Sequence, residues 1–145
     1  MALAPTTKIY LDIDGTLVTK EGEPAKHLPE FLEYITKNYT CFWLTTHSHG
    51  EIMPIKLYLS RLWPKALLHY IDLIKPTAWD TWKTEAIDFS GDFFWLDDFV
   101  FDYEQEVLRK QNKESSLIKI NLNTNPNQLR DILTNSLLRK AMADA

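Results

Sequence analysis

Three apolar segments of this chain each end abruptly in acidic or hydroxyl side chains. The first is Ile9-Tyr10-Leu11, which leads into the sequence DIDG that begins at Asp12. The second is TCFWLTT at residues 40–46, and the third is FFWL at residues 93–96, which is followed by Asp97 and Asp98. Short apolar runs rich in β-branched and aromatic residues are typical of buried strands, and the acidic and glycine residues after them indicate turns.

The stretches between these predicted strands carry helical spacing. Residues 28–39 predict a helix because their apolar residues recur at helical intervals, at Leu28, Phe31, Leu32 and Ile35. Residues 51–63 predict a second helix with Pro54 in its first turn, a position that tolerates proline. Residues 66–74 are interpreted as a short strand. The remaining predicted elements are a short helix or turn at 83–87, a helix at 103–112, a strand at 116–120 and a closing helix at 126–140.

The alternation of strands and helices predicts an α/β fold. Such βαβ units form parallel sheets, so we expect a three-layer, Rossmann-like sheet with helices on both faces. The 145 residues fit one domain that spans residues 1–145. In sheets of this kind, ligands bind beyond the carboxyl ends of the strands. The polar residues that end the predicted strands therefore mark the expected position of a ligand site.

Four carboxylates are expected to meet at this edge of the sheet, those of Asp12, Asp14, Asp97 and Asp98. Without neutralisation they would repel one another, and some of their pKa values would rise. Mg²⁺ prefers oxygen ligands and retains several waters, so a few carboxylates from two strands suit it. The alternative is that these acids are solvated turn residues. That explanation fits one Asp-Gly pair better than two acidic pairs that each follow an apolar strand.

The order of these motifs resembles that of the haloacid dehalogenase (HAD) superfamily. KIYLDIDGTLV at residues 8–18 is similar to the first family motif, an apolar strand followed by DxDGT. FWLTT at residues 42–46 is similar to the second motif, and Lys83 in TWKTEAI is similar to the lysine of the third. FFWLDD at residues 93–98 is similar to the fourth. The resemblance spans about residues 8–102 and implies a HAD-like hydrolase fold.

The resemblance also implies a role for each matching residue in a phosphatase reaction. Asp12 would attack phosphorus and become an aspartyl phosphate, a known form of covalent catalysis. Asp14 would protonate the leaving oxygen and later activate the hydrolytic water. Thr45 would hydrogen-bond a phosphoryl oxygen, and Lys83 would neutralise charge on the nucleophile and the phosphate. The implied Mg²⁺ ligands are Asp12, the backbone carbonyl of Asp14, Asp97 and Asp98.

Two of these assignments have an alternative nearby in the chain. Thr46 can replace Thr45, because either residue can lie at the last turn of its strand. Lys75 competes with Lys83, which is preferred because it directly precedes the predicted short helix before FFWLDD.

Histidine and tryptophan residues near the motifs are further candidates. His47 and His49 could line a substrate pocket or form an H-x-H metal pair, although oxygen-rich surroundings favour magnesium over zinc. Trp79 and Trp82 flank Lys83 and are interpreted as packing under their loop, with a floor for the substrate as the alternative.

The intervals between the motifs leave little room for a cap domain. Residues 17–39 allow a small flap and one helix, and residues 47–82 allow a helix and a connection. In the superfamily that these motifs resemble, capless members commonly act on large substrates. The resemblance therefore implies a large or exposed phosphate, such as a nucleic-acid end or a phosphoprotein, with a small metabolite as the alternative. The fragments WLTT, WKT and WLDD also resemble small capless members associated with RNA repair. The net charge of −4 and the pI of about 5.5 argue against a general nucleic-acid-binding surface.

Three other functional classes bear comparison. A receiver domain of two-component signalling also gathers Asp, Thr and Lys at strand ends, but its acidic pair comes first, so the order here excludes it. A phosphotransferase would use the same residues as a phosphatase. A binding module derived from the fold would usually have lost the nucleophile or the acid, whereas this chain has both Asp12 and Asp14.

The remaining composition favours a cytoplasmic location without a membrane partner. Apolar runs stay well short of the roughly 20 residues of a membrane span, and the first residues lack a signal-peptide pattern. The single cysteine, Cys41, rules out an internal disulfide and a cysteine-cluster zinc site.

Overall fold

The computed structural model of the protein describes residues 7–135, and its centre is a four-stranded parallel sheet. The strands are β1 (Lys8–Leu11), β2 (Thr40–Trp43), β3 (Phe93–Asp97) and β4 (Leu117–Lys119), in the spatial order β2-β1-β3-β4. In the register of the sheet, Leu11 lies opposite Trp43 on one side and Leu96 on the other. The predicted α/β class with a parallel sheet is confirmed.

Helices cover both faces of this sheet. The α-helices are α1 (Leu28–Asn38), α2 (Met53–Leu59), α3 (Asp102–Lys110) and α4 (Gln128–Thr134). Short 3₁₀ helices occupy Lys65–Leu73, Lys83–Ala86 and Glu114–Ser116. Because successive strand residues point to opposite faces, Ile9 and Leu11 enter one apolar core, and Tyr10 enters the other.

The two cores are built by different helices. The larger contains the buried stripe predicted for α1 (Leu28, Phe31, Leu32 and Ile35) together with Leu129 and Ile132 of α4. The smaller packs Leu108 of α3 against β3. Each fully buried Leu, Ile or Phe stabilises the fold by about 1.5–3 kcal/mol relative to exposure. The closing helix therefore covers its own sheet.

The strand predicted at residues 66–74 is wrong. This segment is a 3₁₀ helix from Lys65 to Leu73, in which Leu67 and Ile71 are buried against the larger core. Strand pairing begins only at Lys75, whose backbone N–H donates to Cys41 O at 3.0 Å and whose carbonyl accepts from Trp43 N–H at 2.7 Å. Spacing of two apolar residues at i and i+4 suits a helical turn better than a strand.

Other elements were predicted correctly in type and differ in length. β2 ends at Trp43 instead of Thr46, because the chain turns away after Leu44 N–H pairs with Leu11 O. The helix predicted at 51–63 is the shorter α2, with Pro54 in its first turn as expected. α4 occupies only part of the predicted range 126–140, and residues 136–140 lie outside the described part.

The connections that flank the site consist of loops and helices. After β1 the chain makes a hairpin-like loop, closed by hydrogen bonds from Thr19 N–H to Glu23 O and from Ala25 N–H to Leu17 O. Between β2 and the 3₁₀ helix that starts at Lys83 lie α2, the longer 3₁₀ helix and loops. Over residues 7–135, helices are too short or too polar to cross a bilayer.

Candidate functional site

The sheet order creates a crevice between the ends of β1 and β3. The chain passes from β1 to β2 on one side and later returns to β3 on the other, so the topological switch point lies between β1 and β3. Ligands of open α/β sheets bind at such points. Asp12 N–H donates to Leu96 O at 3.0 Å, which brings Asp12 beside Asp97.

Three of the four predicted carboxylates meet in this crevice. Asp12, Asp97 and Asp98 each offer an oxygen within 4.8 Å of the other two. Asp12 and Asp97 are almost completely buried, and Asp98 is half-buried. Hydrogen bonds orient the Asp97 carboxylate, since Trp95 Nε1–H donates to it at 3.2 Å and Phe99 N–H donates at 3.2 Å. We call these three side chains the carboxylate cluster.

Lys83 contacts two members of the carboxylate cluster from the start of a 3₁₀ helix. Its Nζ donates to Asp12 Oδ1 at 3.1 Å and to Asp97 Oδ2 at 2.7 Å. Its backbone N–H donates to Glu104 Oε2 at 2.8 Å, which fixes the start of the 3₁₀ helix Lys83–Ala86. Lys75, the alternative lysine, is exposed and pairs through its backbone at the sheet edge. The structure thus brings Lys83, and not Lys75, into the site.

Burial and mutual repulsion perturb the ionisation of these groups. Burial raises the pKa of Asp12 well above its ordinary value, the Asp97 charge raises it further, and Lys83 lowers it only in part. Burial likewise raises the pKa of Asp97 against the opposing effect of Lys83. Burial alone would lower the pKa of Lys83, but the charges of Asp12 and Asp97 raise it overall. The lysine therefore stays protonated and neutralises only part of the negative charge.

The carboxylate cluster fits a hard divalent cation. Its donors are all carboxylate oxygens, the ligand type that Mg²⁺ and Ca²⁺ prefer. Gly15 leaves room for this arrangement, because a Cβ at that position would lie 2.3 Å from Asp98 Oδ2. Gly15 also has a φ of +77°, which glycine adopts without strain. A divalent cation would offset the burial and the mutual repulsion that raise the carboxyl pKa values.

The two candidate threonines after β2 have different environments. Thr45 is buried, and its Oγ1 accepts the N–H of His47 at 3.1 Å. Thr46 is exposed and lines the same cleft as Asp12 and Lys83. The structure therefore brings the Thr46 side chain into the cleft wall, whereas the Thr45 side chain supports the turn behind it.

Asp14 lies outside the carboxylate cluster and has partners of its own. Its half-exposed carboxylate is bound by His47 Nε2 at 2.6 Å and accepts a hydrogen bond from Tyr58 Oη. The rings of His47 and Tyr58 stack with centroids 3.8 Å apart. The hydrogen bond to Asp14, followed by burial, raises the pKa of Tyr58 to about 12. Tyr58 was missed from sequence, since a contact across 44 residues leaves no local pattern.

His49 and the two tryptophans take separate positions. His49 Nδ1 lies 2.7 Å from Trp79 O, and the ring centroids of His49 and Trp79 are 4.7 Å apart. His47 and His49 therefore contact different groups and do not form an H-x-H metal site. Trp79 lines the cleft, which the sequence had suggested only as an alternative. Trp82 packs against the rings of Phe101 and Tyr103.

The carboxylate cluster lies in a cleft of about 310 Å³. Besides the carboxylate cluster, Lys83 and Thr46, its wall includes Asp14, Trp79, Thr81, Phe99, Phe101 and Glu104. Glu104 is buried and was also missed from sequence. A glutamate at the third position of a helix can accept the N–H of the residue that precedes the helix, which is a local sequence signal for it. Its Oε1 accepts Phe101 N–H at 3.0 Å, so it joins α3 to the Lys83 helix.

Comparisons with known proteins do not assign the chain to a family. No protein-family model matches it, and searches of curated proteins and of solved structures give no significant match. What the site does therefore has to be inferred from its own geometry and chemistry.

Proposed function

We propose that the protein is a magnesium-dependent phosphatase of the HAD type that forms an aspartyl phosphate on Asp12. The observation that carries this proposal is the buried Asp12 carboxylate at the switch point of the sheet. Lys83 Nζ lies 3.1 Å from Asp12 Oδ1, and one oxygen each of Asp97 and Asp98 lies within 4.8 Å of an Asp12 carboxylate oxygen. A partly neutralised carboxylate beside a candidate cation site, in an open cleft, suits attack on phosphorus.

The reaction would proceed in two halves. An Asp12 carboxylate oxygen attacks the phosphorus of a phosphate monoester, and the bond from phosphorus to the leaving oxygen breaks. Asp14 gives its proton to that oxygen, so the alcohol departs neutral. Asp14 then takes a proton from a water whose oxygen attacks the phosphorus. The bond from phosphorus to the Asp12 oxygen breaks, inorganic phosphate leaves, and the Asp12 carboxylate is restored.

Electrostatic stabilisation is expected to supply most of the rate enhancement. Negative charge develops on the phosphoryl oxygens in both halves, and Lys83 supplies a positive charge that its carboxylate neighbours maintain. Mg²⁺, held by Asp12, Asp97, Asp98 and the backbone carbonyl of Asp14, would neutralise further charge there. Thr46 is the better candidate for a hydrogen bond to the phosphoryl group, because it lines the cleft and Thr45 is buried.

The short connections support a substrate whose phosphate is exposed. A HAD-type cap would follow β1 or β2, where the chain forms only the loop closed by Thr19 and Ala25, short helices and connections. We therefore propose a capless site that accepts a nucleic-acid end, a phosphoprotein or a small phosphorylated metabolite. The same residues would also serve a phosphotransferase, in which another acceptor replaces water.

The direct test is phosphate release from an aryl phosphate with Mg²⁺ or with EDTA. We expect release that depends on Mg²⁺ and is lost in Asp12→Asn, which keeps the shape of the side chain and removes the nucleophile. The matched control is Asp92→Asn, since the Asp92 side chain is 87% exposed and lies outside the cleft wall. Release that survives Asp12→Asn would overturn the mechanism.

Inactivity towards an aryl phosphate would be followed by trapping with beryllofluoride, which mimics an aspartyl phosphate. Binding of Mg²⁺ and beryllofluoride to the native chain, and not to Asp12→Asn, would support a competent nucleophile. Failure of both experiments would reject the phosphatase and favour a binding module. Added alcohols that accept the phosphoryl group in place of water would indicate phosphotransfer.

A further inference from the structure

Four aromatic side chains form a continuous group at the mouth of the cleft. Phe99 and Phe101 are in edge-to-face contact, with ring centroids 4.8 Å apart. Trp82 contacts Phe101 at 5.5 Å and Tyr103 at 4.8 Å. We call Trp82, Phe99, Phe101 and Tyr103 the aromatic rim. Phe99 and Phe101 also line the cleft that holds Asp12 and Lys83, so the rim continues directly from the proposed reaction site.

The aromatic rim leaves large apolar surfaces in contact with solvent. Phe99, Phe101 and Tyr103 are 58%, 52% and 55% exposed. They make up three of the six large apolar side chains that are exposed within residues 7–135, and they lie within five residues of one another. Single exposed apolar residues need no explanation, but a contiguous patch beside a cleft indicates a binding surface.

The backbone beneath the rim is held in place. Phe99 N–H donates to Asp97 Oδ1 at 3.2 Å, and Phe101 N–H donates to the buried Glu104 carboxylate at 3.0 Å. Val100, between the two phenylalanines, is buried in the smaller core. The rim is therefore positioned relative to the carboxylate cluster before any ligand binds, which lowers the entropic cost of binding.

The charges around the cleft limit what the rim can recognise. The described residues of its wall include five acids (Asp12, Asp14, Asp97, Asp98 and Glu104) and one cation, Lys83, which is already paired with two of them. Such a wall offers little ionic attraction to the rest of the substrate, so ring contacts have to supply the binding energy. An uncharged planar group near the phosphate satisfies that requirement.

We propose that the aromatic rim stacks the nucleobase of a phosphorylated nucleoside whose phosphate reaches Asp12. Every base has a flat π-face, and aromatic side chains bind bases by stacking without needing positive charge. A nucleobase is separated from the phosphate by a sugar, so it can reach rings beyond Phe99. The inference rests on the proposed function, and it covers both a free nucleotide and the terminal nucleotide of a strand.

Equilibrium binding to the Asp12→Asn variant in Mg²⁺ tests the rim without turnover. The probes are AMP, UMP and ribose 5-phosphate, which lacks the base. We expect the two nucleotides to bind roughly 5- to 100-fold more tightly than ribose 5-phosphate, the range of one base stacked on an aromatic side chain. Addition of Phe101→Ala should remove most of this preference, and Phe101→Leu, which keeps apolar bulk without a flat ring, should remove part of it. Leu57→Ala is the matched control, because Leu57 is 59% exposed on α2.

Further probes distinguish the possible sources of the base. A phosphorylated dinucleotide that binds more tightly than AMP would support the rim and indicate a strand end, whereas weaker binding would support it and indicate a free nucleotide. A phosphotyrosine peptide that binds more tightly than AMP would overturn the inference in favour of a protein substrate. Equal affinities for AMP and ribose 5-phosphate would also overturn it.

Turnover by the native chain separates this inference from the proposed function. Phosphate release from ribose 5-phosphate, together with equal affinities for AMP and ribose 5-phosphate, would leave the phosphatase standing and reject the rim. A preference for the base that depends on Phe101, in a protein without turnover of any probe, would support the rim and reject the phosphatase.

Discussion

The contacts of Asp14 are unusual for a half-exposed carboxylate. Such side chains normally sample several rotamers in water, whereas here His47 and Tyr58 bind different oxygens of the same carboxylate. The stacked rings restrict each other as well. Asp14 is therefore oriented before a substrate arrives, which would help a group that has to deliver a proton in one direction.

Loss of the Tyr58 hydroxyl is predicted to lower kcat/KM most for substrates whose leaving group needs a proton. Tyr58→Phe removes one bond to Asp14 and keeps the ring on His47. Losing one such bond corresponds to roughly a 3- to 10-fold effect, so we expect kcat/KM to fall by that factor for alkyl phosphates. p-Nitrophenyl phosphate, whose leaving group needs no proton, should change little. Steady-state kinetics over a leaving-group series measure this, with Tyr34→Phe on α1 as the control. An equal loss for both substrate types would contradict a positioning role.

Gly15 gives a second prediction at the scale of a single residue. Gly15→Ala would bring a methyl group within 2.3 Å of Asp98 Oδ2 and displace that carboxylate from the cluster. We expect the Mg²⁺ concentration for half-maximal phosphate release to rise at least about tenfold, which corresponds to a loss of about 1.4 kcal/mol. Gly22→Ala is the control, because Gly22 has a similar φ of +85° while its nearest neighbour, Leu62, lies 3.7 Å away. Equal shifts in both variants would attribute the effect to backbone strain.

At the scale of elements, Glu104 joins two segments that shape the cleft. The carboxylate accepts the N–H of Lys83 at the start of one 3₁₀ helix and the N–H of Phe101 before α3. The Glu104 side chain is buried. If it were removed, bulk water would not replace it as the hydrogen-bond partner of the two N–H donors. One side chain therefore connects Lys83 with the aromatic rim.

Replacement of Glu104 should loosen this connection. Glu104→Gln keeps the shape but places an amide NH₂ against one of the two N–H donors. We expect the free energy of unfolding to fall by about 1–3 kcal/mol, the cost of an unsatisfied buried donor. Denaturant unfolding measures the change, and Glu106→Gln on the exposed side of α3 is the control, with little expected change. Equal stability of the two variants would contradict the connecting role.

Secondary structure was predictable where the residues carry a local pattern. β1, β3 and α1 follow from an apolar run or from the helical spacing of Leu28, Phe31, Leu32 and Ile35. Residues 66–74 carry an apolar run that suits either a strand or a helix, and only packing of Leu67 and Ile71 on the larger core resolves the ambiguity. The end of β2 depends on where its neighbour β1 stops offering carbonyl groups, which is a tertiary property.

The candidate site divides in the same way. Asp12, Asp97 and Asp98 were predicted to converge because parallel strands end at the same edge, and the position of Lys83 directly before the predicted short helix favoured it over Lys75. The contacts of Tyr58 with Asp14 and of Glu104 with Lys83 could not be predicted, since they join segments 44 and 21 residues apart. The choice between Thr45 and Thr46 depends on how the chain turns after β2, which the sequence leaves open.

At the scale of the whole molecule, the site brings several negatively charged side chains together where they are largely shielded from solvent. When all are ionised, the three carboxylates of the cluster and Lys83 carry a net charge of −2, which one Mg²⁺ would neutralise. Without a cation this charge opposes folding, because buried carboxylates are poorly solvated. Such local destabilisation is common where groups are arranged for function and not for stability.

The pH dependence of stability follows from the raised pKa values of Asp12 and Asp97. Unfolded aspartate titrates near pH 3.9, so above that pH the folded protein holds protons that the unfolded chain has released. The contribution of these two groups to stability is fully present below that value and is lost as the pH rises through their higher folded pKa values. Lys83 does not change this window, because its pKa is raised from a value of 10.5.

Asp12→Asn removes the carboxyl group whose pKa is raised most. The variant therefore tests whether burial of the Asp12 charge outweighs its ion pair with Lys83. In EDTA at pH 7.5, we expect the variant to be more stable than the native chain, and the difference to shrink towards pH 4, because the unfolded chain begins to bind the proton on Asp12 as the pH approaches 3.9. Mg²⁺ should stabilise the native chain and have a weaker effect on the variant, because only binding to the folded state shifts the equilibrium. Denaturant unfolding between pH 4 and 8, with and without Mg²⁺, measures all three effects. A native chain that is more stable than Asp12→Asn in EDTA at pH 7.5 would mean that the Lys83 ion pair outweighs the burial of the Asp12 charge.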